Sequence, residues 1–233
     1  MGLLAYCIVS CPASELPSQI EGRKVRLIEV DDLALAVSDV PAAPPRDADA
    51  VMAFEAVVEW FLSRCRSLVP VRFGSVLPDD EAAARALRER APEYQRLLQR
   101  LSDTFEIGIR ILPVKVPEPP APPATAQSGA AWLEQRREYF RKRDAAVSHF
   151  DAVSAQLRSE LAGAFLRTRE EAKPEMLSLY FLVARHQADS FLERATGVIL
   201  PGFRLLVSGP WPPYNFVDGR EPESDELGLP QNI

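Results

Sequence analysis

Five of the chain's 21 prolines fall within residues 117–123: Pro117, Pro119, Pro120, Pro122 and Pro123. Proline locks φ and has no backbone N–H, so neither a helix nor a central strand can run through such a stretch. It reads as a semi-rigid linker and predicts the main boundary of the chain. On that division residues 1–116 form one unit, 117–127 the linker, 128–217 a second unit, and 218–233 a loose acidic tail. Two further proline clusters, Pro41/Pro44/Pro45 and Pro210/Pro212/Pro213, mark other joints. Hydrophobic residues make up 47% of the chain. The expected picture is therefore ordered segments with real cores joined by stiff connections, not general disorder.

Before the linker, Leu3–Val9 is an apolar run with β-branched residues and predicts a strand. Lys24–Val30 and Leu33–Val40 predict a hairpin about Asp31-Asp32. Asp47 or Asp49 can cap a helix whose inward face is Val51, Phe54, Val58, Phe61, Leu62 and Cys65, at three- and four-residue steps. Leu68–Gly74 is expected to be a buried strand ending in a glycine turn. Asp79, Asp80 and Glu81 open a second helix, with acids where the helix dipole favours them. Pro92 should break that helix after Ala91. Thr104–Val116 predicts a long strand with Phe105, Ile107, Ile109 and Ile111 on one face. Five strands and two helices could close into a two-layer α+β unit.

Beyond the linker, Ser128–Arg167 reads as one long helix. Leu133, Phe140, Val147 and Leu161 form one inward row, and Phe150, Leu157 and Ala164 a second. Met176–Ala184 is apolar on both parities and predicts a central strand covered on both faces. Ala188–Thr196 predicts a short helix, and Phe203–Val207 a last strand. That strand leads into Ser208-Gly-Pro-Trp-Pro-Pro-Tyr-Asn-Phe-Val217, with three prolines and three aromatics in ten residues. The expectation there is an extended, polyproline-like exit and no further sheet.

Composition excludes several function classes. The net charge of −6 lacks the basic footprint of a nucleic-acid binder. Neither a signal peptide nor an apolar run near the ~20 residues of a membrane span is present, so a cytoplasmic protein is expected. Cys7, Cys11 and Cys65 are too few and wrongly spaced for a disulfide framework or a zinc knuckle. The two histidines, His149 and His186, are far apart, and no nucleophile–base spacing or glycine-rich phosphate loop accompanies them. No catalytic, cofactor-binding or metal-binding residues are expected.

The segment Ser208–Val217 closely resembles the terminal signature of the gas vesicle GvpF/GvpL family. Val69-Pro-Val-Arg-Phe-Gly-Ser75 resembles that family's second signature. Leu3–Val9 and Met176–Val183 are similar to its opening and central C-domain strands. The resemblance spans residues 2–217 in order. It implies an α+β protein of two domains: a modified ferredoxin-like N-terminal domain, and a C-terminal α+β domain with a long helix and an extended tail. It also implies a non-enzymatic minor component or assembly factor of gas vesicles. Such a protein would bind the small hydrophobic shell protein GvpA, and other accessory gas vesicle proteins, at or near the gas-facing surface. The reading from a different class is a small-ligand-binding or enzymatic α+β protein that uses the interdomain cleft as its site.

Five residues are singled out for partner binding or for latching the two domains. Arg72 lies in an otherwise buried run beside Phe73. It should pair with a carboxylate such as Glu55 or Glu106, or else contact a partner. Trp211, Tyr214 and Phe216 should fold back as a latch, because three large exposed rings would invite aggregation. Aromatic interface contacts are the alternative for the same rings.

Overall fold

In a computed structural model, residues 1–10, 16–114, 137, 150–173 and 175–217 are described. They form a mixed α/β fold with two antiparallel sheets. The linker at 117–127, the helix positions 128–136 and 138–149, Cys11, His149 and the tail from Asp218 lie outside the described residues.

The first sheet contains β1 (Gly2–Val9), β2 (Arg26–Val30), β3 (Leu33–Val40), β4 (Leu68–Pro70) and β5 (Val76–Leu77). Its order is β2-β3-β1-β4, with β5 also paired to β1. The β2–β3 hairpin turns at Asp31-Asp32 as expected, with Asp31 in the left-handed region (φ 54°). β1 is buried along nearly its whole length because both faces are covered. Leu4, Tyr6, Cys7 and Val9 pack with helix α1 (Ala48–Arg64), while Leu3, Ala5 and Ile8 face the opposite layer. A register shift between Ala5 and Cys7 explains why adjacent Tyr6 and Cys7 share a side: a bulge inserts one residue and reverses the alternation. Asp47 caps α1, its carboxylate accepting from the Ala50 N–H at 2.8 Å. Phe54, Val57, Val58, Phe61 and Leu62 form the buried face, and the Tyr6 ring stacks on Phe54. Val51, expected inward, is exposed in the helix's first turn.

The opposite layer is α2 (Asp80–Glu89) and α3 (Ala91–Arg100). Asp79 caps α2 through the Ala82 N–H. The chain breaks at Arg90, and Pro92 sits in the first turn of α3, where its missing N–H costs no helical bond. Leu87, Leu97 and Leu98 close this second core.

The second sheet contains β6 (Thr104–Pro113), β7 (Arg167–Lys173), β8 (Met176–Ala184) and β9 (Phe203–Trp211), in the order β7-β8-β6-β9. Helical residues 150–160, here α4, and α5 (Ala188–Gly197) cover one face. Ile107, Ile109, Ile111, Leu177, Leu179, Phe181 and Val183 point into that core with Phe150, Leu157 and Phe191. The even-numbered residues of these strands therefore face away from the helices, as period-two alternation requires. β8 is an inner strand, as expected.

Several sequence expectations are corrected. Thr104–Pro113, grouped with the first half, is an inner strand of the second sheet. The strand expected at Leu68–Gly74 ends at Pro70, and Gly74 turns the chain at φ 83°. The helix expected to reach Arg167 stops at residue 160, Gly163 adopts φ 78°, and Arg167–Lys173 becomes edge strand β7. Among the described residues no helix is long and apolar enough to cross a membrane.

Candidate functional site

The last strand does not stop where the prolines begin. β9 pairs with β6 through Val207↔Ile109 and Ser208↔Gly108, shifts register, and pairs again at Trp211↔Glu106. Pro210 is accommodated because β9 is an edge strand, where a missing N–H removes no necessary ladder bond. Gly209 makes the shift possible. Its φ is 123°, and a Cβ there would lie 2.9 Å from the Glu106 carbonyl oxygen and 3.3 Å from Ile107 Cα. The polyproline-like exit expected from Ser208 is thus replaced, up to Trp211, by a bulged edge strand.

Beyond Trp211, Pro212 and Pro213 are buried and lead into a 3-10 turn over Tyr214–Phe216. Two carboxylates hold this turn. Glu106 of β6 accepts from the Asn215 backbone N–H at 2.8 Å and from Asn215 Nδ2 at 2.7 Å. Glu55 of α1 accepts from the Tyr214 hydroxyl, at 3.0 and 3.1 Å to its two oxygens. Phe216 is fully buried against Leu101 and Leu182, and Arg100 at the end of α3 donates to its carbonyl at 3.1 Å. Arg185 adds a second bridge nearby, donating to the Cys65 carbonyl at 2.8 Å with its guanidinium over the Phe105 ring. The closing turn therefore touches α1 and α3, which pack on the first sheet, and β6 of the second.

Both carboxylates sit in surroundings that disfavour their charge. Burial pushes the Glu106 carboxyl up to about 7, against the opposing pull of the Asn215 donors and the Arg169 charge. Burial also raises Glu55, partly offset by the Tyr214 hydroxyl, with nearby Glu59 adding to the rise. Tyr214 is raised in turn, by its own burial and then by Glu55. The two carboxylates line a cavity of about 300 Å³ together with Gly108, Tyr180, Ser208 and Trp211.

A pH dependence follows. The folded chain binds a proton at Glu106 more tightly than the unfolded chain, where the ordinary value is 4.5. The stability this group contributes is full below about 4.5 and is lost as pH rises through about 7. The expected loss is up to about 3 kcal/mol, so melting temperature should fall between pH 5 and 8. Glu106→Gln should flatten that part of the slope, whatever it does to absolute stability. An equal slope in the variant would remove Glu106 as the cause.

The residues singled out from the sequence separate here. Tyr214, Phe216 and Trp211 meet at one site, but Trp211 is 39% exposed while Phe216 is buried. Phe73 is half-buried, edge-on to Phe54 with centroids 5.2 Å apart. Arg72 is exposed in a turn and makes no ion pair with Glu55 or Glu106. With β4 ending at Pro70, the Arg72 carbonyl accepts from the Ser75 N–H and hydroxyl, and its side chain is left on the surface. The carboxylates proposed for it are engaged by Tyr214 and Asn215 instead. Sequence reasoning missed Asn215 altogether. The available signal was Glu106, an acid inside a strand of alternating Phe and Ile.

Comparison with known proteins agrees with this fold. The sequence profile described as gas vesicle synthesis protein GvpL/GvpF matches residues 2–218. Gas vesicle protein L of Streptomyces sp. (strain CB03234) is 30% identical over 89% of this chain and 88% of that protein. Gas vesicle protein F of the same strain is 28% identical over 94% of this chain and all of that protein. The crystal structure of GvpF from Anabaena sp. PCC7120 superposes with a TM-score of 0.73 at 16% identity, covering 94% of this chain and 97% of that one. That last likeness is one of fold.

Proposed function

The chain belongs to the family of gas vesicle synthesis proteins GvpL/GvpF, and so has a part in gas vesicle formation. From that premise we propose that it is a non-catalytic binding module that docks on the hydrophobic shell protein GvpA. Accessory gas vesicle proteins are further partners, and the gas-facing side of the shell is its place of work. The proposal includes two domains, one built on each sheet, with a modified ferredoxin-like fold for the first. The observation that carries the docking reading is the pair of large apolar side chains on the side of the second sheet away from α4 and α5. Leu206 is 40% exposed and Trp211 39%. An exposed ring and an exposed leucine on the same face of one edge strand offer apolar contact surface to another protein. In this reading Tyr214 and Phe216 latch the two sheets, and Trp211 beside them is a contact residue.

Capture of purified shell protein by the full chain tests this directly. Trp211→Ala is the discriminating variant. A partly exposed ring should cost roughly 2 kcal/mol of stability, lowering melting by only a few degrees while shell-protein capture is lost. A large fall in melting temperature would make Trp211 structural. Unchanged capture would move the contact elsewhere.

The second reading, a small-ligand or enzymatic protein working from the cleft, is favoured by one observation. Two carboxyls raised by burial converge on one cavity. The charge chemistry of that cavity suits a protein contact as well as a free ligand.

A further inference from the structure

We propose that the cavity beside the closing turn is a socket for a lysine side chain of a partner protein, its ammonium group held against Glu55 and Glu106. The inference rests on the docking reading above and gives one contact of that docking its chemistry.

The cavity is lined from four directions: Glu55 from α1, Glu106 and Gly108 from β6, Tyr180 from β8, and Ser208, Trp211 and Tyr214 from the end of the chain. Among the described residues, the groups that donate to the two carboxylates are neutral. Glu55 has the Tyr214 hydroxyl, and Glu106 has the Asn215 N–H and amide. Among the described residues neither carboxylate forms an ion pair. The Arg169 charge acts on Glu106, and Glu59 adds negative charge near Glu55. Two acids at one cavity are thus hydrogen-bonded by neutral donors, and partial burial makes an incoming ammonium more valuable than it would be on an open surface.

The walls select what kind of cation fits. Tyr180, Trp211 and Tyr214 present ring surface, which favours a cation and the methylenes behind it. Gly108 leaves the β6 backbone bare between them. A Cβ there would stand 3.2 Å from Ser208 Oγ and 3.8 Å from the Tyr180 ring, inside the space a ligand stem would use. Arg110 also lines the cavity. It lies four residues further along the same face of β6, its Cα roughly 13 Å from that of Glu106. At about 300 Å³ the space is at the small end of ligand pockets and has room for one long side chain. A compact ammonium with three donors suits two converging carboxylates and a hydroxyl better than a planar guanidinium.

The test uses the full chain and the peptide acetyl-Gly-Lys-Gly-amide. Controls are the same peptide with norleucine or arginine at the central position, and spermidine as a free amine. Titration calorimetry in two buffers of different ionisation heat reads both affinity and proton uptake or release. The expected result is binding of the lysine peptide with release of a fraction of a proton near pH 7, because a bound cation favours the ionised form of Glu106. Binding of the norleucine peptide should be at least tenfold weaker. Glu55→Gln, which keeps an acceptor for the Tyr214 hydroxyl, should weaken the lysine peptide at least tenfold. Equal affinity for norleucine, which needs no variant to establish, would overturn the proposal. So would tighter binding of the arginine peptide, an unaffected Glu55→Gln chain, or spermidine binding that the lysine peptide does not match. Shell-protein capture is scored separately. Capture without lysine-peptide binding sinks this inference alone, and peptide binding without capture sinks the shell-protein reading alone.

Discussion

Replacing Phe216 by alanine is expected to cost about 3–5 kcal/mol, the ordinary range for emptying a fully buried phenylalanine site. The ring has no exposed surface and packs on Leu101 and Leu182, with Tyr180 and Val217 against the same cluster and the Arg167 guanidinium 5.9 Å from its centroid. The cluster is small, so few neighbours can move in to fill the gap. In a chain of 233 residues that loss corresponds to a melting temperature lower by on the order of 10 °C. The turn could instead detach locally while both sheets stay folded. The variant would then melt near the parent temperature, but the Asn215 amide, now bonded to Glu106, would exchange rapidly with solvent. Either outcome places Phe216 at the closure. A parent-like melt together with a parent-like exchange rate at Asn215 would show that the ring does not hold the turn. Phe216→Leu, which retains most of the volume, should recover the larger part of the loss.

Gly209→Ala is the second large effect, expected at about 2–4 kcal/mol. Part of it is backbone strain of about 1–3 kcal/mol, since φ of 123° is a conformation L side chains rarely adopt. The rest is crowding, because the new methyl would meet the Glu106 carbonyl at 2.9 Å. That carbonyl belongs to a paired inner strand, so β9 rather than β6 has to give way. Moving β9 draws Trp211 from its place opposite Glu106 and loosens the Asn215 anchor with it. Gly202→Ala is the matched control, with φ of 83° and no atom within 4 Å of the added Cβ. It should cost only strain. If chemical denaturation finds the two variants equally destabilised, the crowding account fails.

The elements visible in the sequence are those whose side chains all point to one answer. The Asp47-capped α1, the Asp31-Asp32 hairpin, the α2–α3 break and the doubly covered β8 each combine a period with a start or stop signal, and they appear with small shifts. β7 was illegible for the opposite reason. Arg-Thr-Arg-Glu-Glu-Ala-Lys has no apolar alternation, because its later residues are exposed on an edge strand, and charges so arranged fit a helix surface as well. β9 was cut short because three prolines argue against sheet, and only its place at an edge makes Pro210 tolerable. The sheet that β6 joins has no local signature at all; pairing partners lie at least 60 residues away in sequence. At the site the aromatics are conspicuous in the sequence, but the carboxylates that position them look from sequence like partners for Arg72. Nothing nearby in sequence connects Glu55 to Tyr214, 159 residues later.

The placement of β6 in the second sheet also sets an order of events on the ribosome. Every strand of the first sheet has been made by Leu77, so that sheet can assemble from contiguous chain. β6 emerges by Pro113, yet its two neighbours are β8, ending at Ala184, and β9, ending at Trp211. At about 5–20 residues per second its apolar face and both its edges wait on the order of 10 s for partners. An unpaired strand of this kind is a template for neighbouring nascent chains. The last ten residues of the fold thus determine when the nascent chain stops being vulnerable, and slow translation through the region between β6 and β8 should lower yield more than equal delay before residue 77.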